Sequence, residues 1–263
     1  MGAAARLGVE RVGSWSVVSA AFARSPLRLL TPRNHGHAAW AYTSSLGGGF
    51  VDGDRVQLEV RVGPGAAAVV GTQGATRVYR SARGCGNTLR AEVGDGAFLA
   101  LLPDPTVCFK GARYDQRTEV HLAEGGALVL FEAIAAGRSG ERWAFDAYAS
   151  RLHVTCGAKT LVDERLVLDP LHGSLAGRFG RFEAIATLLL VGPGLPRDEI
   201  AARIAAEPVR RRAPLVQSAS PLGTEALLVR IAATQVEDAV LAARAQLRFL
   251  PALLGDDPFS RRS

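Results

Sequence analysis

Arg55-Val56-Gln57-Leu58-Glu59-Val60-Arg61-Val62 runs into Gly63-Pro64-Gly65 and then into the apolar stretch Ala66-Ala67-Ala68-Val69-Val70. The first segment alternates strictly, with Val and Leu on one side and charged or amide residues on the other. That is the two-residue period of a strand with one face buried. The second segment does not alternate and reads as a strand buried more fully.

The same order returns three times. Residues 89–93 lead through Gly94-Asp95-Gly96 into 97–102, residues 116–122 through Glu124-Gly125-Gly126 into 127–134, and residues 151–155 through Cys156-Gly157-Ala158-Lys159 into 160–168. Gly63, Gly94, Gly125 and Gly157 lie about 31 residues apart, a period typical of repeat architectures. Each unit reads as a tight hairpin whose glycine supplies a positive φ. The fold expected is mainly β: a layered, β-solenoid-like or sandwich stack of hairpins.

The C-terminal third changes period. Pro196 to Glu207 reads as a short helix with acids in its first turn and Pro208 beyond its end. Residues 226–232 read as a strand. Thr234-Gln235-Val236-Glu237 has the form of a capping box. It precedes Val236, Val240, Ala243, Leu247, Leu250 and Leu254, spaced as one amphipathic helix of four turns or more. Two helices near the C-terminus are therefore expected to pack on the β layers. Residues 1–14 are set apart as a variable segment, 15–255 form one β-rich domain, and 256–263 form a mobile tail.

Composition narrows the class. Apolar residues at 48% against 21% charged describe a folded globular chain. The net charge of +6 comes from scattered arginines, and the tightest run is Arg210-Arg211-Arg212. This favours an arginine-biased surface over a nucleic-acid stripe. Three widely spaced cysteines without a C-x-x-C motif fit a reducing compartment. The first residues lack an apolar signal core, and no stretch approaches the roughly 20 apolar residues of a membrane helix. A soluble, cytoplasmic chain without nucleic-acid or membrane partners is expected.

Catalytic motifs are not evident. Gly47-Gly48-Gly49-Phe50-Val51-Asp52-Gly53-Asp54 is glycine-rich, but no G-K-[ST] follows and the calcium-loop spacing fails. It reads as a turn opening a sheet, with two aspartates able to meet a metal in transit. There is no G-x-S-x-G elbow. His35 and His37 form an H-x-H pair, while the other histidines and the cysteines are dispersed, so no closed metal site of zinc type is expected. Glu132 stands out, because a carboxylate inside the apolar run 128–134 is costly unless paired or functional. A salt bridge to an arginine and a role in handling a cation are both open to it.

Five segments in order resemble the urease accessory proteins of the D type. They are residues 25–33 (SPLRLLTPR), 48–54 (GGFVDGD), 72–80 (TQGATRVYR), 102–109 (LPDPTVCF) with Ala112-Arg113-Tyr114 behind it, and 136–145 with Ala136-Gly137-Arg138 and Gly140-Glu141-Arg142-Trp143. The likeness covers most of residues 15–255 and leaves out Met1 to Val12. It implies a cytoplasmic, non-enzymatic scaffold that binds the family's F-type partner and, through it, the G-type GTPase carrying nickel. It also implies contact with apo-urease and an internal route for Ni²⁺ in transit, with no tightly bound cofactor. Asp52, Asp54 and Glu132 are the metal-path candidates, expected with Thr72 and Gln73 near the inner surface of the layers. Thr76, Arg77, Tyr79, Arg138 and Glu141 complete the set of family-motif residues. Arg77 stands where the family often has Lys, and the loop from Gly137 to Glu141 is short. The rival reading is an all-β carbohydrate-active hydrolase or carbohydrate-binding module, which needs paired carboxylates or an aromatic platform.

Overall fold

The computed structural model describes residues 3–33 and 36–260. The first strands in chain order are β1 (Ala3–Val12), β2 (Trp15–Ala23), β3 (Leu27–Leu30), β4 (Ala39–Ser45), β5 (Arg55–Val62) and β6 (Ala67–Thr72). Next come β7 (Thr76–Val78), β8 (Cys85–Val93), β9 (Phe98–Leu102), β10 (Thr106–Cys108), β11 (Arg113–Leu122) and β12 (Ala127–Ala135). The rest are β13 (Ala147–Cys156), β14 (Lys159–Leu168), β15 (Ala184–Val191), β16 (Leu215–Leu222) and β17 (Ala226–Ala233). Four helices accompany them: α1 (Leu175–Phe179), α2 (Arg197–Ala206), α3 (Val236–Gln246) and α4 (Leu250–Leu254).

The strands form two stacked sheets. A seven-stranded sheet runs β14-β13-β11-β8-β5-β1-β2, and a ten-stranded sheet runs β16-β17-β15-β12-β9-β6-β4-β3 with β7 and β10 attached. The fold is mainly β and solenoid-like, as expected, but its repeating unit is a coil and not a hairpin. β5 and β6 do not pair. β5 pairs in parallel with β8, and β8 with β11, in one sheet. β6 pairs in parallel with β9, and β9 with β12, in the other. The chain thus steps between sheets at each Gly-containing corner. Only the fourth repeat closes as an antiparallel hairpin, β13 with β14.

The physical reason lies in the two strand patterns. The seven-stranded sheet buries one face, so β5 alternates between buried and open positions. The ten-stranded sheet is covered on both sides, so β6, β9 and β12 are nearly continuous apolar runs. Leu7, Leu58, Leu99, Leu128 and Leu130 fill the space between the sheets. Trp40, Leu188, Ile200, Leu247 and Leu250 fill the layer between the ten-stranded sheet and the helices. Each such fully buried side chain contributes about 1.5–3 kcal/mol.

Of the four turn glycines, Gly157 carries the expected positive φ, at 54° in the β13–β14 turn, and the other three do not. Gly65 and Gly96 carry the positive φ, at 65° and 61°. Gly94 and Gly125 serve close approach between successive coils. A Cβ on Gly94 would lie 2.8 Å from the nitrogen of Pro64 in the preceding corner.

The C-terminal helix is broken in two. Pro251 stands at the start of α4, and Leu247, Arg248 and Phe249 separate that helix from α3. The capping box does not form: Gln235 occupies the N-cap of α3 and makes no side-chain cap bond. α2 forms where expected. Residues 3–14 and 256–260 of the terminal segments set apart in the sequence are among the described residues. β1 lies between β2 and β5, pairing with both. Near the other end, Phe259 packs beside the helices with the Arg244 guanidinium 4.9 Å from its ring centre.

Candidate functional site

Along the inner face of the ten-stranded sheet, polar residues replace apolar ones at one level of the strands. Thr43 pairs in register with Thr72. Farther along the same sheet, Glu132 pairs with Thr187, Thr187 with Arg230, and Arg230 with Ser218. The facing sheet has a matching row, Asn87 beside Gln116 and Gln116 beside Ser150. One level away, Thr118, Leu152 and Glu164 lie side by side. Each of these side chains occupies the inward phase of its strand, and all but Leu152 are polar, so together they form a polar seam that runs through an apolar interior and reaches solvent at Ser218 and Arg230.

Two cavities follow the seam. The larger, about 460 Å³, is lined by Thr43, Thr72, Gln73, Asn87, Gln116 and Thr118 among others. The smaller, about 330 Å³, is lined by Ser150, Glu164, Thr187, Ser218 and Arg230 among others. Glu132 lines both. Its carboxylate accepts a hydrogen bond from the Thr118 hydroxyl at 2.8 Å, and the polar side chains of Gln116 and Ser150 also favour its charged form. Burial pushes the Glu132 carboxyl above the ordinary carboxylate range; the hydrogen bonds oppose the rise and the charge of Glu164 adds to it. A hydroxyl, and not an arginine, is its hydrogen-bond partner. Glu164 instead forms an ion pair with Arg230 at 2.8 Å.

The other sequence candidates divide. Thr72 donates to the Asp104 carboxylate at 3.3 Å and accepts from the Asp104 backbone N–H at 2.8 Å, at the edge of the larger cavity. Gln73, Thr76 and Arg77 line that cavity as well. Asp52 and Asp54 line neither cavity, contrary to expectation. Asp52 accepts from Arg83, through the backbone N–H at 2.8 Å and the guanidinium at 2.9 Å. Asp54 accepts from the backbone N–H of Val51 at 2.9 Å. Both are turn-forming carboxylates spoken for by the loop they sit in.

Tyr79, Arg138 and Glu141 meet at a separate place. The Arg138 guanidinium lies 4.0 Å from the Phe109 ring centre, and Tyr79 packs edge-on to the same ring at 5.3 Å. Glu141 accepts from the backbone N–H groups of Lys110 and Arg138 at 3.1 and 3.0 Å. This arrangement holds the short 137–141 loop against the neighbouring coil. Of the H-x-H pair, His35 lies outside the described residues, and the His37 ring contacts the Leu253 carbonyl at 2.9 Å. Among the described residues, no three His, Cys, Asp or Glu side chains come together as a metal cluster.

Asn87, Gln116, Thr118, Ser150, Glu164, Thr187 and Arg230 were not singled out from the sequence. Their signal is phase: each sits where its strand's alternation calls for an apolar residue, as Gln116 and Thr118 do before Val120 and Leu122 in β11.

Fold and seam together define a helix-backed stack of parallel β coils with a polar route through its core. The chain belongs to the UreD urease accessory protein family, whose family model matches residues 1–263, including the stretch Met1 to Val12 that the motif reading left out. It is 49% identical over 254 residues to a urease accessory protein UreD of Sorangium cellulosum, covering 96% of this chain and 81% of that one. A UreD protein of an Anaeromyxobacter species is 42% identical over 98% of this chain and 89% of its own length. Urease accessory protein D of Oryza sativa subsp. indica is 33% identical over 95% and 93%, respectively. Among the described residues, no helix is long and apolar enough to cross a membrane.

Proposed function

We propose that this chain is a non-enzymatic scaffold of urease maturation and that its polar seam conducts Ni²⁺ toward apo-urease. The single observation that carries this reading is that the two cavities share Glu132. The interior therefore offers oxygen donors on both sides of Glu132 in a core that is otherwise largely apolar. Hydroxyl and amide oxygens bind Ni²⁺ weakly compared with imidazole or thiolate. A hydrated ion can exchange ligands among such donors without being held. Glu132 supplies negative charge midway, offsetting part of the cost of bringing a dication into a low-dielectric interior.

The same proposal places the chain in the cytoplasm, in a complex with the family's F-type protein and, through it, the G-type GTPase that carries the metal. The GTPase then supplies the nucleotide-dependent step, and this chain holds the partners and the path. The carbohydrate reading gains nothing from the main aromatic cluster. Tyr114, Trp143, Phe145 and Tyr148 are buried and form a continuous internal chain of ring contacts instead of an exposed platform.

The test is co-expression of Glu132→Gln with urease and the other accessory proteins, reading nickel per urease active site by mass spectrometry. A severalfold loss of nickel is expected, with apo-urease still captured by the variant in a pull-down. Full metallation by the variant overturns the conduit.

A further inference from the structure

The Arg230–Glu164 ion pair crosses from the ten-stranded sheet to the seven-stranded sheet at the solvent-facing end of the smaller cavity, with the Arg230 side chain 45% and the Glu164 side chain 20% exposed. Two carboxylates line that cavity, Glu132 and Glu164, and one cationic side chain, Arg230. Thr187 separates Arg230 from Glu132 in the cross-strand row. A guanidinium stays protonated at any working pH and carries only donors, so it neutralises Glu164 permanently while it remains in place.

We propose that Arg230 is a resident stand-in cation that keeps Glu132 and Glu164 from acting together as a divalent-cation trap. With the guanidinium seated, one carboxylate is occupied and the cavity offers an arriving dication a single free carboxylate. Without it, two carboxylates and the hydroxyls of Ser150 and Thr187 form a hard oxygen-donor set suited to a divalent cation. An ion passing this point uses Glu164 only by displacing the guanidinium, and the guanidinium's return expels it. The inference rests on the conduit reading and adds to it the residue that prevents retention.

The experiment is equilibrium dialysis of the purified full chain against Ni²⁺, with fold checked by melting curve. Arg230→Gln is expected to bind about one Ni²⁺ per chain at least tenfold more tightly than the unaltered chain. Arg230→Lys, which keeps a cation, and the double variant Arg230→Gln/Glu164→Gln, which removes the second carboxylate, should bind no more tightly than the unaltered chain. If Arg230→Gln fails to fold, Arg230→Met retains the packing of the stem and takes the same measurement. Unchanged affinity in a folded, neutral variant at position 230 overturns the inference. Loss of metallation in Glu132→Gln alongside that result leaves the conduit standing and removes only the role given to Arg230.

Discussion

Glu132 combines an interior, cavity-lining position with a neutral hydrogen-bond partner, and this makes stability depend on pH with a definite sign. Its folded-state pKa is raised by burial, so only at pH values between its unfolded and folded pKa does the folded chain keep a proton that the unfolded chain releases. Stability is fully present below the ordinary carboxylate range and falls as pH rises through the window up to the raised pKa. Glu132→Gln should remove that slope. The variant should unfold at a higher urea midpoint than the unaltered chain at neutral pH, and at a similar midpoint near pH ~4. Equal midpoints at both pH values would contradict a raised carboxyl. This residue was legible in the sequence because it breaks the apolar run of β12. Glu164 was not, because Asp163-Glu164-Arg165 looks like a solvated charge run until the buried phase of β14 is known. Asp52 misled for the opposite reason: its partner Arg83 sits 31 residues away in sequence, on the next coil.

The elements rest on stacking more than on local turns. Gly94→Ala places a Cβ against the Pro64 backbone and should destabilise the chain by about 1–3 kcal/mol through overpacking, measured by urea unfolding. A neutral result would mean that the corners are looser than the close contact implies. The outer face of the seven-stranded sheet bears cross-strand ion pairs, Arg6–Glu59, Arg61–Glu92 and Arg90–Glu119, at 2.8–3.0 Å. These pairs are exposed, and Arg90→Ala should cost less than about 1 kcal/mol, with the loss shrinking further in high salt. Strand positions and the 31-residue period were readable from alternation and glycine corners. Partnering was not, because two strands joined by a short turn look alike locally whether they pair with each other or enter opposite sheets. What separates the cases is which faces are covered, and that is decided by the helices packed on the far side of the ten-stranded sheet. The expected long C-terminal helix failed at Pro251, whose missing N–H and ring favour a new helix start.

At the scale of the whole molecule, filling a cavity separates the proposed nickel path from partner docking. Thr187 lines the smaller cavity between Glu132 and Arg230. Thr187→Phe should fill part of the 330 Å³ space while leaving the outer surfaces intact. Capture of apo-urease should persist and nickel per urease active site should fall severalfold. Unimpaired metallation would mean that cargo travels by another route. A different consequence follows from the parallel pairing of β5, β8 and β11 and of β6, β9 and β12. Each coil meets chiefly the one before and the one after, about 4.8 Å away, so its side chains answer to two neighbours and not to the whole. Such a body can grow by duplication: a spliced-in copy of one 31-residue turn would lengthen the layers by a single strand spacing while the ends kept their own surfaces.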